Sequence, residues 1–490
     1  MPFEINRKDI KFVPDSTRVI ARFLFMGDER ALFTIRSVFN MSENEASIAL
    51  IQVLRDYSTR HRNISKIFEK HFNNISPLLK QLNIDAELLE FSRKILIGSY
   101  FTMEYSIESA AFFNPSMVEH PDQSEIGRNE KRVIISFRAT GEGHISSIVF
   151  RTGILDKNNN LTIEPIGRMV EEAEHIRRHI YDKESFRSKL DEMQDFLAII
   201  PSGFILDKLN DKFTYGELRK CVEDAKKTLH LASDKEVLFN QIIWLASSHY
   251  ELQFSLDTNI SERVIFPVSS NEKNGIEDAR FVKFNDDDNK TTYYATYTAY
   301  DGNTILPKLL NTSDFYHFKV LPLHGEIAQN KGMALFPRKV NGKFAMLCRL
   351  DGSNNYIAFS DNINIWREAK LLQQPNFPWE FIQIGNCGSP IETDEGWLVI
   401  THGVGPMREY VLGASLFDLQ NPEKEIGRLK NPLLVPNSRE REGYVPNVVY
   451  SCGSMVNNDD LIIPYAMSDY ASTYATVNLR ELLNELKSSK

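Results

Sequence analysis

Hydrophobic and polar positions change their period along this chain, from helical in its first part to strand-like in its second half. Between residues 29 and 59, apolar residues such as Leu32, Ile35 and Phe39 recur about every 3.6 positions, which predicts helices. Ser42-Glu43-Asn44-Glu45 has the form of a capping box between two of them. A further helix is predicted from about residue 84 to 112. Residues 1–112 are therefore predicted to form a helical N-terminal region.

The pattern becomes that of strands from about Arg132. Residues 132–138 and 145–150 flank the turn Thr140-Gly141-Glu142-Gly143, which predicts a β-hairpin. Helical periodicity returns over residues 168–198 and 214–248, which predicts a helical insertion at about 168–248. After Phe254 the chain is almost wholly alternating strands and turns.

The strand-rich part repeats at intervals of roughly 50 to 60 residues, which is in the range of propeller blades. Alternating strands lie at residues 292–297, 344–349, 397–402 and 461–465, and the hairpin at 133–150 adds a fifth unit. The sequence therefore predicts a mainly β protein. The prediction is a five-bladed β-propeller over residues 113–490, interrupted by the helical insertion.

In a propeller the inner strand of each blade points to the central axis, so residues far apart in sequence converge there. The ends of the predicted inner strands supply Arg138, Asp278, Arg280, Lys331, Arg349, His402, Tyr465 and Asp469. Asp278 and Arg280 are two residues apart and leave one face of an extended strand. A carboxylic acid among cations suits the cleavage of a sugar in which an anion such as phosphate takes part.

Some of these residues have an ordinary structural alternative. Arg280 could be a surface partner of Glu277, His402 could stabilise a turn, and Lys331 could be a solvated loop lysine. It is the recurrence of such residues at one position of successive blades that favours a common site.

Composition excludes several classes of function. The 490 residues carry a net charge of -9, which argues against a general binder of nucleic acids or anionic membranes. The residues that follow Met1 have no apolar core of signal-peptide length, and no stretch is long enough to span a bilayer. The four cysteines are scattered without CxxC spacing. A cytoplasmic protein without a metal site is therefore expected.

Several segments resemble one known family in the right order. They are Gly275–Arg280, Lys331–Pro337, Met346–Arg349, Gly385–Trp397, Thr401–Gly403 and Gly443–Gly453. They are similar to signature segments of glycoside hydrolase family 130, which contains β-mannoside phosphorylases and β-mannosidases on a five-bladed propeller. The resemblance runs from about residue 260 to 482, extends more loosely to 132–152 and does not cover the helical N-terminal region.

The resemblance implies roles for individual residues. Asp278 would be the lone catalytic acid, and inorganic phosphate, as co-substrate without any other cofactor, would attack the anomeric carbon with inversion. The implied product from β-manno-oligosaccharides is mannose 1-phosphate. The phosphate-binding candidates are Arg280, Lys331, Arg349 and His402. The candidates for sugar binding are Arg138, His144, Tyr465 and Asp469.

Two departures from the family pattern bear on sugar specificity more than on the phosphate site. Cys348-Arg349-Leu350 stands where many relatives have His-Arg-Pro, and Gly332 stands where an acidic residue is usual.

Two other functions stay open at this point. A β-mannosidase on the same fold would need a carboxylate base, for which Glu326, Glu392 and Glu442 are candidates. A non-catalytic carbohydrate-binding propeller is the third interpretation. The N-terminal helices could cap the site or join copies of the chain in a homo-oligomer.

Overall fold

The fold is mainly β, as the sequence predicted, and a computed structural model supplies its coordinates. It describes residues 3–176, 180–184, 186–187, 190, 203–228, 239, 242–243, 245–246, 249–269, 272–300, 302 and 305–488. Five sheets of at least four strands hold most of the described strand residues from 111 onward. Their strand pairs are antiparallel, except that Arg263–Ile265 runs parallel to Glu171–Glu172. None of the described helices is long and apolar enough to cross a membrane.

The five larger sheets follow one another along the chain. Sheet 1 contains, in spatial order, Ala111–Glu119, Lys131–Thr140, Ser146–Leu155, Arg263–Ile265 and Glu171–Glu172, with Leu161–Ile163 beside its third strand. Sheet 2 contains Ile276–Asn285, Thr291–Tyr300, Ile305–Thr312, His317–Pro322, Tyr250–Gln253 and Glu174–Ile176. Sheet 3 contains Ala334–Leu335, Phe344–Cys348, Asn355–Ser360 and Ala369–Gln373.

Sheets 4 and 5 complete the series. Sheet 4 contains Gln383–Asn386, Gly396–Val404, Tyr410–Phe417 and Glu425–Arg428, with Ile391–Thr393 beside its second strand. Sheet 5 contains Val449–Tyr450, Asp460–Met467, Ala471–Asn478 and Ile5–Arg7, with Met455–Asn457 beside its second strand. The last sheet therefore takes its fourth strand from the start of the chain.

Each pair of successive sheets shares a hydrophobic core. Phe150 of sheet 1 packs in one cluster with Phe281 of sheet 2, and Leu335 of sheet 3 shares a second cluster with sheet 2. Trp397 of sheet 4 joins a third cluster with sheet 3, and a fourth joins sheets 4 and 5. A fifth cluster joins sheet 5 back to sheet 1 through Ile462 and its neighbours. The five cores thus connect the sheets in a cycle.

Helices occupy the N-terminal region, the insertion and the C-terminus. The α-helices whose bounds lie within the described residues are α1 (Asp28–Phe39), α2 (Glu43–Tyr57), α3 (Ile64–Ile75), α4 (Phe91–Tyr100), α5 (Gly203–Leu206), α6 (Tyr215–Thr228) and α7 (Leu479–Ser488). The predicted capping box is present, because Ser42 Oγ accepts from Glu45 N while the Glu45 carboxylate accepts from Ser42 N. The remaining strands form two small pairs, Val19–Phe23 with Thr102–Ser106 and Ile180–Asp182 with Lys212–Thr214.

Two helical predictions are corrected. The helix expected from 84 to 112 is confined to α4, and Ala111–Glu119 is the first strand of sheet 1, because Pro115 suits an irregular strand rather than a helix interior. The boundary predicted at residue 112 therefore falls inside a strand. In the insertion, Glu171–Glu172 and Glu174–Ile176 are strands that extend sheets 1 and 2, so strand pairing overrides the helical period. Residues 191–198 and 229–238 of that prediction lie outside the described residues.

The strands that the sequence offered as innermost are second in their sheets. Sheet contacts place Ala111–Glu119 beside both Ile276–Asn285 and Asp460–Met467, so the first strand of sheet 1 is the one that neighbours sheets 2 and 5. The hairpin at 131–155 is confirmed, but it supplies the second and third strands of that sheet.

Candidate active site

A cavity of about 230 Å³ lies where residues from all five sheets and their loops meet. Seven of the nine predicted site residues line it, namely Arg138, Asp278, Arg280, Lys331, Arg349, His402 and Asp469. Residues separated by more than three hundred positions in sequence thus share one site.

Asp278 reaches the cavity through a β-bulge in the first strand of sheet 2. Glu277 pairs with Thr298 and Arg280 with Thr296, so two residues of this strand stand opposite one residue of its neighbour. Asp278 has φ 56°, in the left-handed region that residues other than glycine rarely adopt. The bulge explains why both Glu277 and Asp278 face the cavity, which an unbroken alternation would forbid.

Asn114 occupies the matching bulge of sheet 1 and was missed by the sequence analysis. It has φ 50°, and the register shifts between Phe113 and Ser116. Asn114 Nδ2 donates to Asp278 Oδ1 at 2.7 Å. The signal was present in the likeness of Asn114-Pro115-Ser116 to Asp278-Ala279-Arg280, but the helix predicted up to residue 112 hid the strand.

The surroundings of Asp278 favour its ionised form. Burial by itself raises the pKa of this carboxyl, but the charges of Arg138 and Arg280, the Asn114 hydrogen bond and the charge of Lys331 outweigh burial and lower the pKa. Arg138 Nη1 lies 3.6 Å from Asp278 Oδ1. These surroundings therefore hold Asp278 as a carboxylate.

Glu277 holds two of the cations. Its Oε1 accepts from Arg138 Nη2 at 2.8 Å, and its Oε2 accepts from Lys331 Nζ at 2.5 Å. The guanidinium of Arg138 also lies 5.0 Å from the centre of the Phe113 ring. Glu277 thus fixes one cation from sheet 1 and one from the loop before sheet 3.

Two further predicted phosphate ligands, Arg280 and Arg349, are arginines with hydrogen-bond partners at the edge of the cavity. Arg280 donates through Nη2 to Tyr450 Oη at 2.6 Å. Arg349 donates through Nη1 to the side-chain oxygen of Gln383, in the amide orientation in which this oxygen accepts from both Arg349 and His402. The Nε atoms of Arg138, Arg280 and Arg349 are buried, and none has a hydrogen-bond partner among the described residues. Buried donors without a partner are costly. The charges of these three arginines around one cavity favour an anionic ligand.

His402 enters the site as a neutral ring. Burial, followed by the charges of Arg349 and Arg280, lowers its pKa to about 3. Its Nε2 lies 2.9 Å from Gln383, whose oriented amide oxygen accepts from it. His402 therefore carries no charge near neutral pH, and its Nε2 hydrogen is donated to Gln383.

Asp469 is a second carboxyl with the opposite behaviour. Burial and the negative charge of Asp278 raise the pKa of Asp469 to about 6, although Arg138 and Arg408 pull it down. It lies at φ 50° in the turn between the second and third strands of sheet 5. Arg408, from a turn of sheet 4, also lines the cavity and was not predicted.

Two predicted sugar-binding residues lie outside the cavity. Tyr465 is fully buried in the core shared by sheets 4 and 5, where its hydroxyl donates to Glu440 Oε1 at 2.6 Å. Its strand alternates, and this position faces the core instead of the cavity. His144 is exposed at the hairpin turn of sheet 1, with its ring centre 5.7 Å from that of Tyr444.

The carboxylates considered as a hydrolytic base are also elsewhere. Glu326, Glu392 and Glu442 do not line the cavity, and Glu392 is paired with Arg338 through two hydrogen bonds. Within the described residues, no group of three or more His, Cys, Asp or Glu side chains is placed to hold a metal ion.

Comparison with known proteins identifies the family. A family model described as β-1,4-mannooligosaccharide phosphorylase matches residues 255–488. A 1,2-β-oligomannan phosphorylase from Thermoanaerobacter sp. (strain X514) is 36% identical over 229 residues, which cover 44% of this chain and 74% of the relative. The chain belongs to glycoside hydrolase family 130.

Two further comparisons describe proteins that are similar to this chain. A β-1,2-mannobiose phosphorylase from Listeria innocua is 30% identical over 254 residues, covering 50% of this chain and 68% of the relative. The solved structure of the β-1,2-mannobiose phosphorylase from Listeria innocua, in complex with β-1,2-mannobiose, superposes with a TM-score of 0.46 and 22% identity, over 79% of this chain and 94% of that one. The part matched by the family model includes Asp278 and Asp469, whereas Asn114 and Arg138 precede it.

Proposed function

We propose that this protein is an inverting phosphorylase that cleaves β-mannosides with inorganic phosphate to give mannose 1-phosphate. The observation that carries the proposal is the set of cations Arg280, Lys331 and Arg349 around one cavity beside Asp278. Arginine suits paired contacts to an oxyanion, and lysine acts as a point charge. Names of the relatives above support the same reaction class.

The reaction needs one acid and an anion site. Phosphate held by Arg280 and Arg349, with Lys331 drawn towards it, attacks the anomeric carbon from the face opposite the leaving oxygen. Asp278 protonates that oxygen directly or through a sugar hydroxyl, and the configuration inverts. An ordinary inverting hydrolase needs a second carboxylate to activate water, whereas phosphate is already an anion. We propose no cofactor beyond phosphate.

The sugar ring would contact the remaining polar groups. Asn114 and Arg138 contact Asp278, and Asp469 also lines the cavity. Hydrogen bonds from sugar hydroxyls to such groups orient the ring for attack. His144 and Tyr444 stand outside the cavity and would contact only longer substrates.

The substrate class is a β-manno-oligosaccharide. Two relatives carry names that specify the β-1,2 linkage, and the family model's description specifies β-1,4. We therefore propose a β-mannoside and leave the linkage to the experiment below.

We also propose that the five larger sheets are the five blades of a β-propeller. The cycle of shared cores supports it, as do the two cavities at opposite ends of the first strands. Both the cavity above and a second one of about 530 Å³ take residues from all five sheets or the loops joined to them. The strand Ile5–Arg7 would then close the ring by pairing with Ala475–Val477.

The test is to incubate the protein with β-1,2- and β-1,4-manno-oligosaccharides, with and without inorganic phosphate, and to separate the products. Strictly phosphate-dependent mannose 1-phosphate supports the phosphorylase and reports the linkage. Free mannose without phosphate would establish a hydrolase instead, whose base would be Glu277 or Asp469. If neither product forms while oligosaccharide still binds, the protein is a carbohydrate-binding module.

A further inference from the structure

The cavity carries three carboxylates and five cations, and their pairing in the empty site is uneven. Glu277 takes Arg138 and Lys331 through hydrogen bonds, whereas Asp278 receives one hydrogen bond from Asn114 and only a longer contact from Arg138. No hydrogen bond from a described residue reaches the carboxylate of Asp469. The ionised state of Asp278 therefore depends partly on Arg138 and Lys331, two cations whose hydrogen bonds are made to Glu277.

A phosphate dianion would engage the same cations that keep Asp278 ionised. Arg280 and Lys331 both favour the charged form of this carboxylate, and both line the cavity. Bound phosphate would neutralise them and would add negative charge beside Asp278. Both effects disfavour a second anion in a site of low dielectric constant.

Arg138 reinforces this effect, because it bridges two carboxylates. Its Nη2 lies 2.8 Å from Glu277 Oε1, and its Nη1 lies 3.6 Å from Asp278 Oδ1. When phosphate draws Lys331 away from Glu277, Arg138 becomes the remaining cation on Glu277. The contact of Arg138 with Glu277 is then strengthened, and less of its positive charge stabilises the ionised form of Asp278.

Asp469 is the group best placed to respond. Its pKa of about 6 already lies near neutral pH, since burial and the charge of Asp278 both disfavour its ionised form. The charged groups that act on it are Arg138 from sheet 1, Arg408 from sheet 4, and Glu277 beside Asp278. Of these, Arg138 is the one whose charge phosphate binding would redirect.

The other titratable groups around the pair do not compete for the proton. Burial has the largest effect on Cys387, Cys452 and Tyr450, and it raises their pKa values far above neutral pH. His402 lies beside the phosphate ligands with its pKa lowered to about 3. Near pH 6.5 these four groups keep the same protonation state with and without phosphate.

We propose that phosphate binding and protonation of the Asp278–Asp469 pair are linked, so that the phosphate-bound site holds an additional proton that the empty site lacks. This inference rests on the proposed function. It explains how Asp278 can be a carboxylate before phosphate binds and a protonated acid once phosphate is bound. Binding of substrate phosphate thereby converts Asp278 into the protonated form that acts as the catalytic acid. Hydrolysis by a site without phosphate is suppressed for the same reason, because the acid is then a carboxylate.

The proton balance of the reaction closes without a further reactant. The C1–oxygen bond to phosphate forms as the C1–oxygen bond to the leaving sugar breaks, and the carboxylic acid gives its proton to the leaving oxygen. The hydrogen brought in by HPO₄²⁻ is lost when the sugar 1-phosphate becomes a dianion, and it returns to the carboxylate pair or to solvent. No net proton is consumed.

The experiment is calorimetric titration of the full-length protein with inorganic phosphate, without sugar, at pH 6.5. Repeating it in phosphate-free buffers of different ionisation enthalpy gives the number of protons taken up. If phosphate raises the pKa of Asp469 from about 6 to about 7, uptake at this group is about half a proton. Sulfate serves as a second probe, because this dianion has no proton of its own to release near neutral pH.

Variants locate the proton. Asp469→Asn is expected to bind both anions with an uptake lower by about half a proton. Asp278→Asn is expected to reduce uptake as well, because it removes one member of the pair and the charge that raises the pKa of the other. Asp288→Asn, on an exposed hairpin, should match the unmodified protein. Circular dichroism shows whether each variant is folded.

The outcomes separate this inference from the proposed function. Equal proton uptake by the unmodified protein and both cavity variants, with anion binding retained, overturns the linkage and leaves the phosphorylase intact. If neither phosphate nor sulfate binds the unmodified protein, the cations are not an anion site, and both proposals fall. A variant that does not fold leaves the other variant and the sulfate titration to decide.

Discussion

Asp278 and Asp469 carry the same chemical group, yet their environments move their pKa values in opposite directions. Asp278 is surrounded by Arg138, Arg280 and a hydrogen bond from Asn114, and its pKa falls. Asp469 is buried beside the charge of Asp278, and its pKa rises to about 6. Pairs of titratable groups whose pKa values are separated in this way are typical of acid–base sites.

Replacement of the acid should remove turnover without unfolding the protein. Asp278→Asn keeps the size of the side chain but cannot donate a carboxylic proton, so we expect phosphorolysis to fall by about 10²- to 10⁴-fold. The rate of mannose 1-phosphate formation is the measurement, with Asp288→Asn as the matched control on an exposed hairpin. Activity within a few-fold of the unmodified protein would contradict the assignment of Asp278.

Arg349 should act through phosphate. Removing its charged hydrogen bonds in Arg349→Ala costs about 1.5 to 3 kcal/mol for each bond lost, which corresponds to a rise of about 10- to 150-fold in the KM for phosphate. Arg349→Lys keeps the charge but loses the planar fork, so an intermediate KM is expected. Initial rates over a range of phosphate concentrations measure the effect. A lower kcat with an unchanged KM for phosphate would make Arg349 structural.

At the scale of single residues, the sequence predicted a site in which seven of nine residues share one cavity. Asn114 was missed because its strand was assigned to a helix, and Arg408 because nothing in a turn of sheet 4 marks it in sequence. Tyr465 was included because strand ends were judged from alternation alone. Alternation gives two faces but does not say which of them meets the cavity.

At the scale of elements, two equivalent bulges build the site. The first strands of sheets 1 and 2 each contain a residue in the left-handed region, Asn114 and Asp278. A hydrogen bond joins these two side chains. A bulge turns a side chain that would face away from the cavity towards it. The pairing of such bulges across neighbouring sheets is a tertiary feature that neither strand shows alone.

Gly275 controls how closely the strand that carries Asp278 approaches sheet 1. A Cβ at this position would lie 2.4 Å from Ser146 Oγ and 2.8 Å from Ser146 N, and φ is +125°. Gly275→Ala should therefore move this strand, and a misplacement of about 1 Å can lower the rate by about 10²-fold. Steady-state rates and thermal unfolding are the measurements.

Gly342→Ala is the matched control for that prediction. Gly342 also has a positive φ, +80°, but a Cβ there meets nothing within 4 Å. It should cost only the backbone strain of about 1 to 2 kcal/mol and leave the rate unchanged. Similar losses of rate in both variants would mean that strain, and not the contact with Ser146, governs the effect.

At the scale of the whole molecule, the two ends of the chain meet. Ile5–Arg7 pairs with the third strand of sheet 5, and Phe12 exchanges two backbone hydrogen bonds with Ser472. The Phe12 ring lies 4.9 Å from the ring centre of Phe137 in sheet 1. The start of the chain therefore joins the last sheet to the first.

Loss of this junction should destabilise the molecule. Phe12→Ala removes a buried aromatic side chain, and the free energy of unfolding should fall by about 3 to 5 kcal/mol. Val13→Ala, at a neighbouring exposed position, should change it by no more than about 0.5 kcal/mol. Urea unfolding of both variants measures the difference. Equal free energies of unfolding for the two variants would show that the contacts of the N-terminal segment do not stabilise the fold.

The sequence alone determined the mainly β character, the family resemblance and the residue types of the site, because alternation, turn residues and short motifs are local properties. Tertiary structure decided which carboxylate is charged, since burial and the charges of residues distant in sequence set each pKa. It also decided that Asn114 holds Asp278, that Tyr465 belongs to the core, and that His402 is neutral. Each of these follows from packing between sheets, which no local pattern contains.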